Sequence, residues 1–177
     1  MLVVVADTHA REESKLQGRT AEAVRGADLV IHAGDFYRGP VFDAFLSAAA
    51  DLRAVYGNND DAAIRDRVPE VRTVEYAGVR FAVTHRHRSG DTGLTMLGRG
   101  RDADAVICGH SHRPRFDDAG ELPILNPGSH AQPRGNRPAH AELTPSDGET
   151  GNELDGRLVT PEGETFETFR IAGGAGR

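Results

Sequence analysis

The sequence predicts an α/β fold in which two mixed β-sheets pack face to face with helices outside. Strand-like and helix-like segments alternate over roughly the first 110 residues, which is typical of parallel strands joined by helices. Hairpin signals follow, and these favour antiparallel pairing. Short groups of Asp, Asn and His come directly after strand-like runs, and open α/β sheets bind ligands at the carboxyl ends of their strands. The fold and the candidate site are therefore predicted to meet at one sheet edge.

The first part of the chain supplies the alternating elements. Residues 2–6 form a continuous apolar run, as expected for a strand buried on both faces. A second buried strand is predicted at residues 29–33 and a short one at 53–56. Helices are predicted over residues 12–25, 41–50 and 61–66.

The remaining part reads as hairpins and short strands. Strands at 71–76 and 79–84 flank Ala77-Gly78, and strands at 113–116 and 122–125 flank the turn at 117–120. Between these hairpins a helix is predicted at 94–101 and a strand at 105–108. Three further strands are predicted at 139–143, 156–159 and 165–171, with an exposed loop at 144–152 and a frayed tail at 172–177. Because no repeat or linker is evident, residues 1–177 are predicted to form a single domain.

Composition narrows the class of protein. The net charge is -6, with 27 acidic against 21 basic residues, which argues against a protein that coats nucleic acid. Cys108 is the only cysteine; it lies in an apolar run and is predicted to be a small core residue. No run approaches the roughly 20 apolar residues of a membrane span. The strand-like start of the sequence lacks the features of a signal peptide, so a cytoplasmic location is expected.

Five polar patterns follow strand-like runs in order. Carboxylate, amide oxygen and imidazole are the ligands that borderline divalent ions accept. Each pattern alone is weak evidence, since a single histidine is more often structural or exposed than a metal ligand. The ordered set, each behind a strand, predicts the site of a two-metal hydrolase. The patterns are Asp7-Thr8-His9, Gly34-Asp35, Gly57-Asn58-Asn59-Asp60, His85 and Gly109-His110-Ser111-His112.

The other histidines lack such partners in the sequence. His32 lies inside a predicted strand and is expected to be a packed core residue. His130 and His140 have no neighbouring ligand residues, and we expect both to be on the surface.

The motif set resembles that of the calcineurin-like metallophosphoesterases. The resemblance rests on the five patterns, on Thr84 preceding His85, and on Asn126-Pro-Gly-Ser129. The small size and the segment Gln132-Pro-Arg-Gly135 look most like the compact, YfcE-like phosphodiesterase branch. The resemblance covers about residues 2–143 and implies a four-layer α/β/β/α sandwich with a dinuclear metal site.

The resemblance also implies a division of the ligands. It places the first ion on Asp7, His9, Asp35 and His112, and the second on Asp35, Asn58, His85 and His110, with Asp35 as the bridge. Two divalent ions are expected, manganese or nickel first, with zinc or iron also compatible with nitrogen and oxygen ligands. The implied mechanism is hydrolysis by a hydroxide that the two ions activate, attacking phosphorus in line.

The chain departs from the family pattern at two places. Many relatives carry a histidine where this chain has Asn59, and that histidine stabilises the transition state or protonates the leaving group. The compact branch commonly has cysteine there. Asn59 donates a hydrogen bond but supplies no proton at neutral pH. Relatives usually read His-Gly-His where this chain has His85-Arg86-His87. Arg86 is expected either to clamp a substrate phosphate or to be solvated, and His87 either to replace the missing acid or to lie behind the ligands.

Three further residues are expected to support the site. Asp60 is predicted to accept a hydrogen bond that orients a histidine ligand, with a helix N-cap as the alternative. Asn126 and Ser129 are expected to shape a turn behind the ligands.

The resemblance favours a metal-dependent phosphodiesterase. A phosphomonoesterase is the nearest alternative, and a non-catalytic scaffold like the retromer subunit of the same fold is another. The expected partner is a small phosphodiester or phosphomonoester; nucleic acid and membranes are not expected. Compact relatives often self-associate, so a homo-oligomer stays open.

Overall fold

The protein is described from a computed structural model, in which residues 1–146 and 152–174 are placed. The expected loop at 144–152 lies partly outside these ranges, and so does the end of the expected frayed tail. Within them the strands are β1 (Leu2–Val5), β2 (Leu29–His32), β3 (Leu52–Ala54), β4 (Val71–Tyr76), β5 (Val79–Thr84), β6 (Ala105–Ile107), β7 (Arg115–Asp117), β8 (Ile124–Asn126), β9 (His140–Pro145), β10 (Glu153–Val159) and β11 (Thr165–Ala172). The helices are α1 (Gly18–Gly26), α2 (Gly39–Ala48), α3 (Ala62–Arg65) and α4 (Gly90–Arg99).

Both sheets are mixed, as predicted. The larger sheet has the order β11-β10-β9-β1-β2-β3, with β1, β2 and β3 parallel and β9, β10 and β11 added antiparallel. The smaller sheet has the order β4-β5-β6-β8-β7, with a parallel centre at β5, β6 and β8. The predicted ligands lie in the loops that follow five of these parallel strands, namely β1, β2, β3, β5 and β6.

The layers follow from three apolar clusters. The central cluster lies between the sheets, the second joins the larger sheet to α1, α2 and α3, and the third joins the smaller sheet to α4. Leu2 and Val4 face the central cluster while Val3 and Val5 face the helices, so β1 is buried on both sides. This arrangement confirms the four-layer α/β/β/α sandwich. No helix in the placed ranges combines the length and the apolar character needed to cross a bilayer.

Helix α1 begins six residues later than predicted, at Gly18 rather than residue 12. Lys15 and Gly18 adopt left-handed backbone angles of +55° and +48°, which interrupt a right-handed helix. The amide of Arg19 then donates to the carbonyl of Pro161 at 2.7 Å, which anchors the helix start to the turn after β10. Residues 11–17 consequently form a loop over the larger sheet.

The expectation that His130 and His140 are exposed was wrong. His140 is fully buried and contacts Thr20 through Nδ1 and Glu142 through Nε2, at 3.0 and 2.9 Å. His130 is also buried and lies edge-on to the Phe45 ring. Both are covered by segments distant in sequence, which a local pattern does not reveal. The core positions expected for His32 and Cys108 are confirmed, and burial raises the pKa of the Cys108 thiol to about 12.

His130 is expected to make stability depend on pH between about 6.5 and 4. Burial lowers the pKa of His130 from 6.5 to about 4, so the unfolded chain binds the proton more readily in that window. Stability should fall on the order of 3 kcal/mol as pH drops from about 6.5 to 4 and then level off with respect to this group. The measurement is urea unfolding at a series of pH values.

His130→Gln is the matched variant, because glutamine keeps a donor for the Ser14 carbonyl that Nε2 of His130 faces. The difference in stability between the two proteins should change with pH only inside the window. A difference that stays constant from pH 7 to 4 would show that His130 does not titrate in this way.

Candidate metal centre

Loops from both sheets converge at the carboxyl ends of their parallel strands. Asp7 and His9 follow β1, and Asp35 follows β2 in the larger sheet. His85 follows β5, and His112 follows β6 in the smaller sheet. Each sheet thus contributes imidazole to one cluster, while both carboxylates come from the larger sheet.

Five of the predicted ligands meet in this cluster. Oδ2 of Asp35 lies 3.2 Å from Nε2 of His9 and 3.2 Å from Nε2 of His85. Oδ1 of Asp7 lies 3.6 Å from Nε2 of His112 and 3.8 Å from Nε2 of His9. The rings of His9 and His112 stack with centroids 4.9 Å apart. One carboxylate oxygen of Asp35 therefore stands between two imidazole nitrogens.

The cluster contains buried polar atoms that make no hydrogen bond within the placed part of the chain. These are both carboxylate oxygens of Asp7 and the Nε2 atoms of His9, His85 and His112. Burying such atoms without partners is costly, so we expect them to bind a group that is not part of the protein. Two groups, Asp7 with His9 and His112 and Asp7 with Asp35 and His85, have ligand atoms close enough to hold a cation. The donor set fits divalent metal ions.

Backbone carbonyls fix how two of the imidazoles face the cluster. Nδ1 of His85 lies 2.8 Å from the carbonyl of Ala33, and Nδ1 of His112 lies 2.5 Å from the carbonyl of Gln132. A carbonyl only accepts, so we assign the proton to Nδ1 in both rings. The lone pair on Nε2 then faces the carboxylates, the orientation a metal ligand requires.

Left-handed backbone angles aim the ligands. Among placed residues other than glycine, Asp7, His9 and Asp35 have φ angles of 55°, 46° and 59°. His110 and His112 share this conformation, at 72° and 56°. Residues other than glycine rarely adopt such angles, and those that do concentrate at functional sites.

Gly57 leaves space for the carboxylate of Asp35. A Cβ atom at position 57 would lie 2.1 Å from Oδ1 of Asp35, a distance that no van der Waals contact permits. Glycine therefore allows this loop to close over the carboxylate.

The field of the two carboxylates favours positive charge. Burial lowers the pKa of His9, but Asp35 and Asp7 outweigh burial and raise it to about 9. Burial also lowers the pKa of His85, but Asp35 outweighs burial and the pKa of His85 is raised. Burial alone would raise the pKa of Asp35, but the neighbouring imidazoles of His85 and His9 hold it well below the usual range. Burial lowers the pKa of His110 and of His112.

The predicted contact of Asp60 with a histidine was wrong. Its carboxylate accepts from the backbone amides of Asp35, Tyr37 and Gly57, at 3.0, 2.7 and 2.7 Å. The loop after β3 turns this side chain toward amides of the loop after β2, so it ties the two loops together. Nor is Asp60 the helix N-cap, because Asp61 caps α3 by accepting from the amide of Ile64.

Arg65 holds the same loop from the other side. Its Nε donates to the carbonyl of Asp60 at 2.8 Å, and its terminal nitrogen donates to the carbonyls of Asn58 and Gly57 at 2.8 and 3.2 Å. Asp60 and Arg65 together fix the loop through its amides and its carbonyls. The sequence analysis did not identify Arg65, and no motif marks it.

The remaining predicted ligands lie at the rim. Asn58 is exposed, and within the described residues its side chain makes no hydrogen bond with the other predicted metal ligands. Asn59 instead contacts Asp35, donating its backbone amide to Oδ1 at 2.8 Å and its side-chain amide to Oδ2 at 2.7 Å. His110 is exposed and presents its ring at a steep angle to that of His85, with centroids 5.3 Å apart.

Arg86 and His87 have different surroundings. Arg86 is exposed and lines a cleft of about 290 Å³ that also borders Asn58 and His85. His87 folds against Gly93 of α4, and its Nδ1 accepts the amide of Ser89 at 3.2 Å. Within the described residues, His87 makes no hydrogen bond, ion pair or ring contact with the predicted metal ligands. The structure therefore does not bring His87 into the cluster.

Asn126 and Ser129 shape a turn behind the ligands. The side-chain amide of Asn126 donates to the carbonyl of Gly109 at 2.7 Å, and its oxygen accepts the amide of Gly128 at 2.9 Å. The hydroxyl of Ser129 donates to the carbonyl of Asp7 at 2.7 Å. This turn therefore braces the first ligand loop and the loop after β6.

Tyr37 is a neighbour of the site that the sequence analysis missed. Its ring centroid lies 6.1 Å from that of His9. Asp35 and Tyr37 have the same spacing as Asp7 and His9. This repeated spacing is the feature of the sequence that could have identified Tyr37 as a neighbour of the site.

Comparison with known proteins finds relatives in sequence and a similar fold. A probable metallophosphoesterase of Methanothermobacter thermautotrophicus is 31% identical over 163 residues, which cover 90% of this chain and 91% of the relative. A protein named as a phosphodiesterase in Methanocaldococcus jannaschii is 27% identical over 136 residues, 71% of this chain and 81% of the relative. Vps29 of Entamoeba histolytica, solved in complex with zinc, superposes with a TM-score of 0.74 at 20% identity, over 97% of this chain and 98% of that one.

The family itself is established by a match along most of the chain. Residues 1–147, which contain every predicted ligand, match the sequence profile described as the calcineurin-like phosphoesterase superfamily domain. The chain belongs to the calcineurin-like phosphoesterase superfamily.

Proposed function

We propose that this protein is a metal-dependent phosphodiesterase that uses two divalent ions at the candidate metal centre. The observation that carries the proposal is the group of buried, unpartnered carboxylate and imidazole atoms that the two sheets bring together. Family membership and the phosphodiesterase named among the relatives support the reaction class.

The family resemblance suggests how the ligands would divide between two ions. The first ion would be held by Asp7, His9, Asp35 and His112, and the second by Asp35, Asn58, His85 and His110. Asp7 belongs to both groups of nearby ligand atoms, but Oδ2 of Asp35 stands at equal distance from His9 and His85. This position supports the proposal that Asp35 would be the ligand shared by the two ions. The donor set suits manganese or nickel first, and zinc or iron as well.

The bound ions would supply an activated water and neutralise charge on the phosphoryl oxygens. Asp35 is held in place for this by the two amides of Asn59, which donate to both of its oxygens. Arg86 stands free at the cleft beside His85 and is suited to bind a phosphoryl oxygen. Asn59 supplies no proton, so esters whose leaving groups depart as stable anions are favoured.

A scaffold is the alternative function. Vps29 shares the fold. Asn59 supplies no proton, unlike the histidine that the family resemblance leads one to expect at this position. The predicted ligands argue for the enzyme, because a scaffold has no need of buried carboxylates and imidazoles without partners. A measurement of turnover separates the two.

The test is hydrolysis by protein that is stripped of metal and then resupplied with manganese, nickel or zinc. Bis(p-nitrophenyl) phosphate and p-nitrophenyl phosphate are compared at equal concentration, with bound metal counted per chain. Metal-dependent cleavage that is faster for the diester supports the proposal. Faster cleavage of the monoester would identify a phosphomonoesterase, and two bound ions without turnover would favour the scaffold.

Asn59→His is expected to raise turnover of esters with poor leaving groups. General acid catalysis is worth roughly 10²–10⁴-fold, and histidine would supply the proton that asparagine lacks. We expect a gain of at least tenfold for an alkyl ester and little gain for a p-nitrophenyl ester. The measurement is kcat for a pair of diesters that differ in leaving group, and equal gains for both would contradict a role in proton transfer.

Arg86→Ala is expected to raise KM for a diester with little change in kcat. The guanidinium makes no contact with a carboxylate in the placed ranges, so a substrate phosphate is its natural partner. A loss of roughly tenfold in binding corresponds to about 1.4 kcal/mol. Arg101→Ala is the control, because Arg101 precedes β6. It therefore lies near the amino-terminal ends of the parallel strands, whereas the metal centre lies at their carboxyl ends. An unchanged KM would mean that Arg86 is simply solvated.

A further inference from the structure

We propose that Tyr37, Arg11 and Arg38 form a subsite beside the metal centre, and that it binds a second anionic group carried by the organic arm of the ester. The anion is a carboxylate or a phosphate-type group. This inference rests on the proposed function, because it assumes that the reacting phosphoryl group lies over the ligands.

The first observation is that two neighbouring loops have the same construction. The loop after β1 places Asp7 and then His9, and the loop after β2 places Asp35 and then Tyr37. The two loops run side by side: the amide of His9 donates to the carbonyl of Asp35 at 3.0 Å, and Ala10 forms an isolated parallel bridge with Tyr37. Tyr37 therefore holds in the second loop the place that a ligand holds in the first.

The second observation is backbone strain at Tyr37. Its φ angle is +93°, which is a genuine outlier for a bulky side chain. Its amide donates to Oδ1 of Asp60 at 2.7 Å, and that bond helps hold the angle. Strain of this kind persists only where the surrounding structure holds it, and it clusters at functional sites.

The third observation is the pair of arginines on the tyrosine ring. The guanidinium carbon of Arg38 lies 4.1 Å from the ring centroid, and that of Arg11 lies 5.4 Å from it. Neither arginine has a carboxylate within 4.0 Å among the residues that the structure describes. Arg38 donates one N–H to the carbonyl of Tyr37 at 3.2 Å. The rest of its donor edge has no protein partner in those ranges.

The carboxylates of the adjoining loop do not neutralise these charges. Asp60 accepts three backbone amides, and Asp61 accepts the amides of Gly39 and Ile64, both at 3.2 Å. Two guanidinium groups thus remain available on the ring of Tyr37, which itself lies 6.1 Å from that of His9, in a chain whose net charge is -6. Stacking on an aromatic face leaves the planar donor edge of arginine free for an anion.

These features fit an ester whose arm ends in a negative charge. The phosphoryl group would lie over the ligands, the arm would cross the face beside His9 and Tyr37, and the terminal anion would meet Arg11 and Arg38. A neutral arm would gain no such contact. Selectivity would come from charge-assisted hydrogen bonds, which are among the stronger polar contacts.

The test uses three ligands that cannot be hydrolysed, so it does not depend on turnover. Phenylphosphonate, 4-phosphonobenzoate and benzene-1,4-diphosphonate are titrated into manganese-loaded protein by calorimetry. Both ligands with a second anion are expected to bind about tenfold more tightly than phenylphosphonate. The comparison of carboxylate with phosphonate identifies which anion the subsite prefers.

Arg11→Gln and Arg38→Gln should each reduce this preference, while affinity for phenylphosphonate stays within about twofold. Both side chains reach the surface, so neither substitution is expected to affect folding. Arg101→Gln is the matched control and should keep the full preference. Tyr37→Leu should weaken the preference as well, because the stacking surface is lost.

Equal affinity for all three ligands, or a preference that survives both arginine substitutions, would overturn the subsite. Absence of hydrolysis in the assays above would instead count against the proposed function and leave this binding result intact. The two failures are therefore distinguishable.

Discussion

Asp35→Asn is expected to lower metal-dependent diester hydrolysis more than about 100-fold. Loss of a group that merely orients a ligand typically costs 10–100-fold in metal affinity or activity, and in the proposed mechanism Asp35 would contact both ions directly. Asparagine has the same shape, so the backbone contacts around position 35 should survive. It lacks the negative charge that would offset the repulsion between two cations.

The measurement combines kcat with the number of ions bound per chain at saturating manganese. Asp118→Asn is the matched control, because Asp118 is exposed in the turn between β7 and β8. The control should keep both ions and full activity, and far-ultraviolet circular dichroism should match for all three proteins. An Asp35→Asn protein with two ions and undiminished turnover would remove Asp35 from the proposed mechanism.

Glu142→Ala is expected to destabilise the fold by about 2–3 kcal/mol, somewhat less than the 3–5 kcal/mol typical of a fully buried ion pair. The Glu142 side chain is 1% exposed, while Arg19 and Arg157 are 32% and 46% exposed. Glu142 accepts from Arg19 at 2.7 and 2.8 Å and from Arg157 at 2.7 Å, and it also contacts His140. Removing the carboxylate leaves these groups without their partner, although water reaches both arginines.

Urea unfolding at pH 7 measures this loss, with Glu22→Ala as control. Glu22 contacts Arg19 at 3.7 Å from an exposed position, so its removal should cost under about 1 kcal/mol. A Glu142→Ala loss no larger than that of the control would show that the buried network contributes no net stability.

The same network predicts an acid-sensitive contribution. Burial raises the pKa of Glu142, but contacts with His140, Arg19 and Arg157 outweigh burial and hold it well below its ordinary value of 4.5. The stabilising contribution is therefore present above pH 4.5 and is lost as pH falls below that value. In Glu142→Ala this part of the acid dependence should disappear.

Local sequence patterns predicted the elements best where pairing is local. The hairpin strands β4 and β5 have the boundaries that alternation around Ala77-Gly78 indicates. Helix α1 was placed too early, because its start is set by an anchor at Pro161 that lies far away in sequence. The burial of His130 and His140 likewise depends on segments that only the folded chain brings near.

For the site, order and spacing along the chain predicted which loops converge. They did not predict which atoms meet. Asp60 resembles a histidine partner in sequence but binds amides, and Asn59 rather than Asn58 contacts Asp35. These outcomes depend on left-handed backbone angles and on the closeness of two loops, which residue types alone do not specify. Tyr37 was missed because a tyrosine after a strand carries no metal-binding signature.

The antiparallel pairing of β1 with β9 has a consequence for how the centre is assembled. Leu2 pairs with Leu143, and the hydroxyl of Ser129 holds the carbonyl of Asp7. Contacts between such distant positions form slowly, because a long loop must close before they contribute. During synthesis the first ligand loop therefore leaves the ribosome long before the segment that braces it. If the centre binds metal as proposed, loading would be a late event, because a nascent chain shorter than about residue 143 lacks the pairing of β1 with β9.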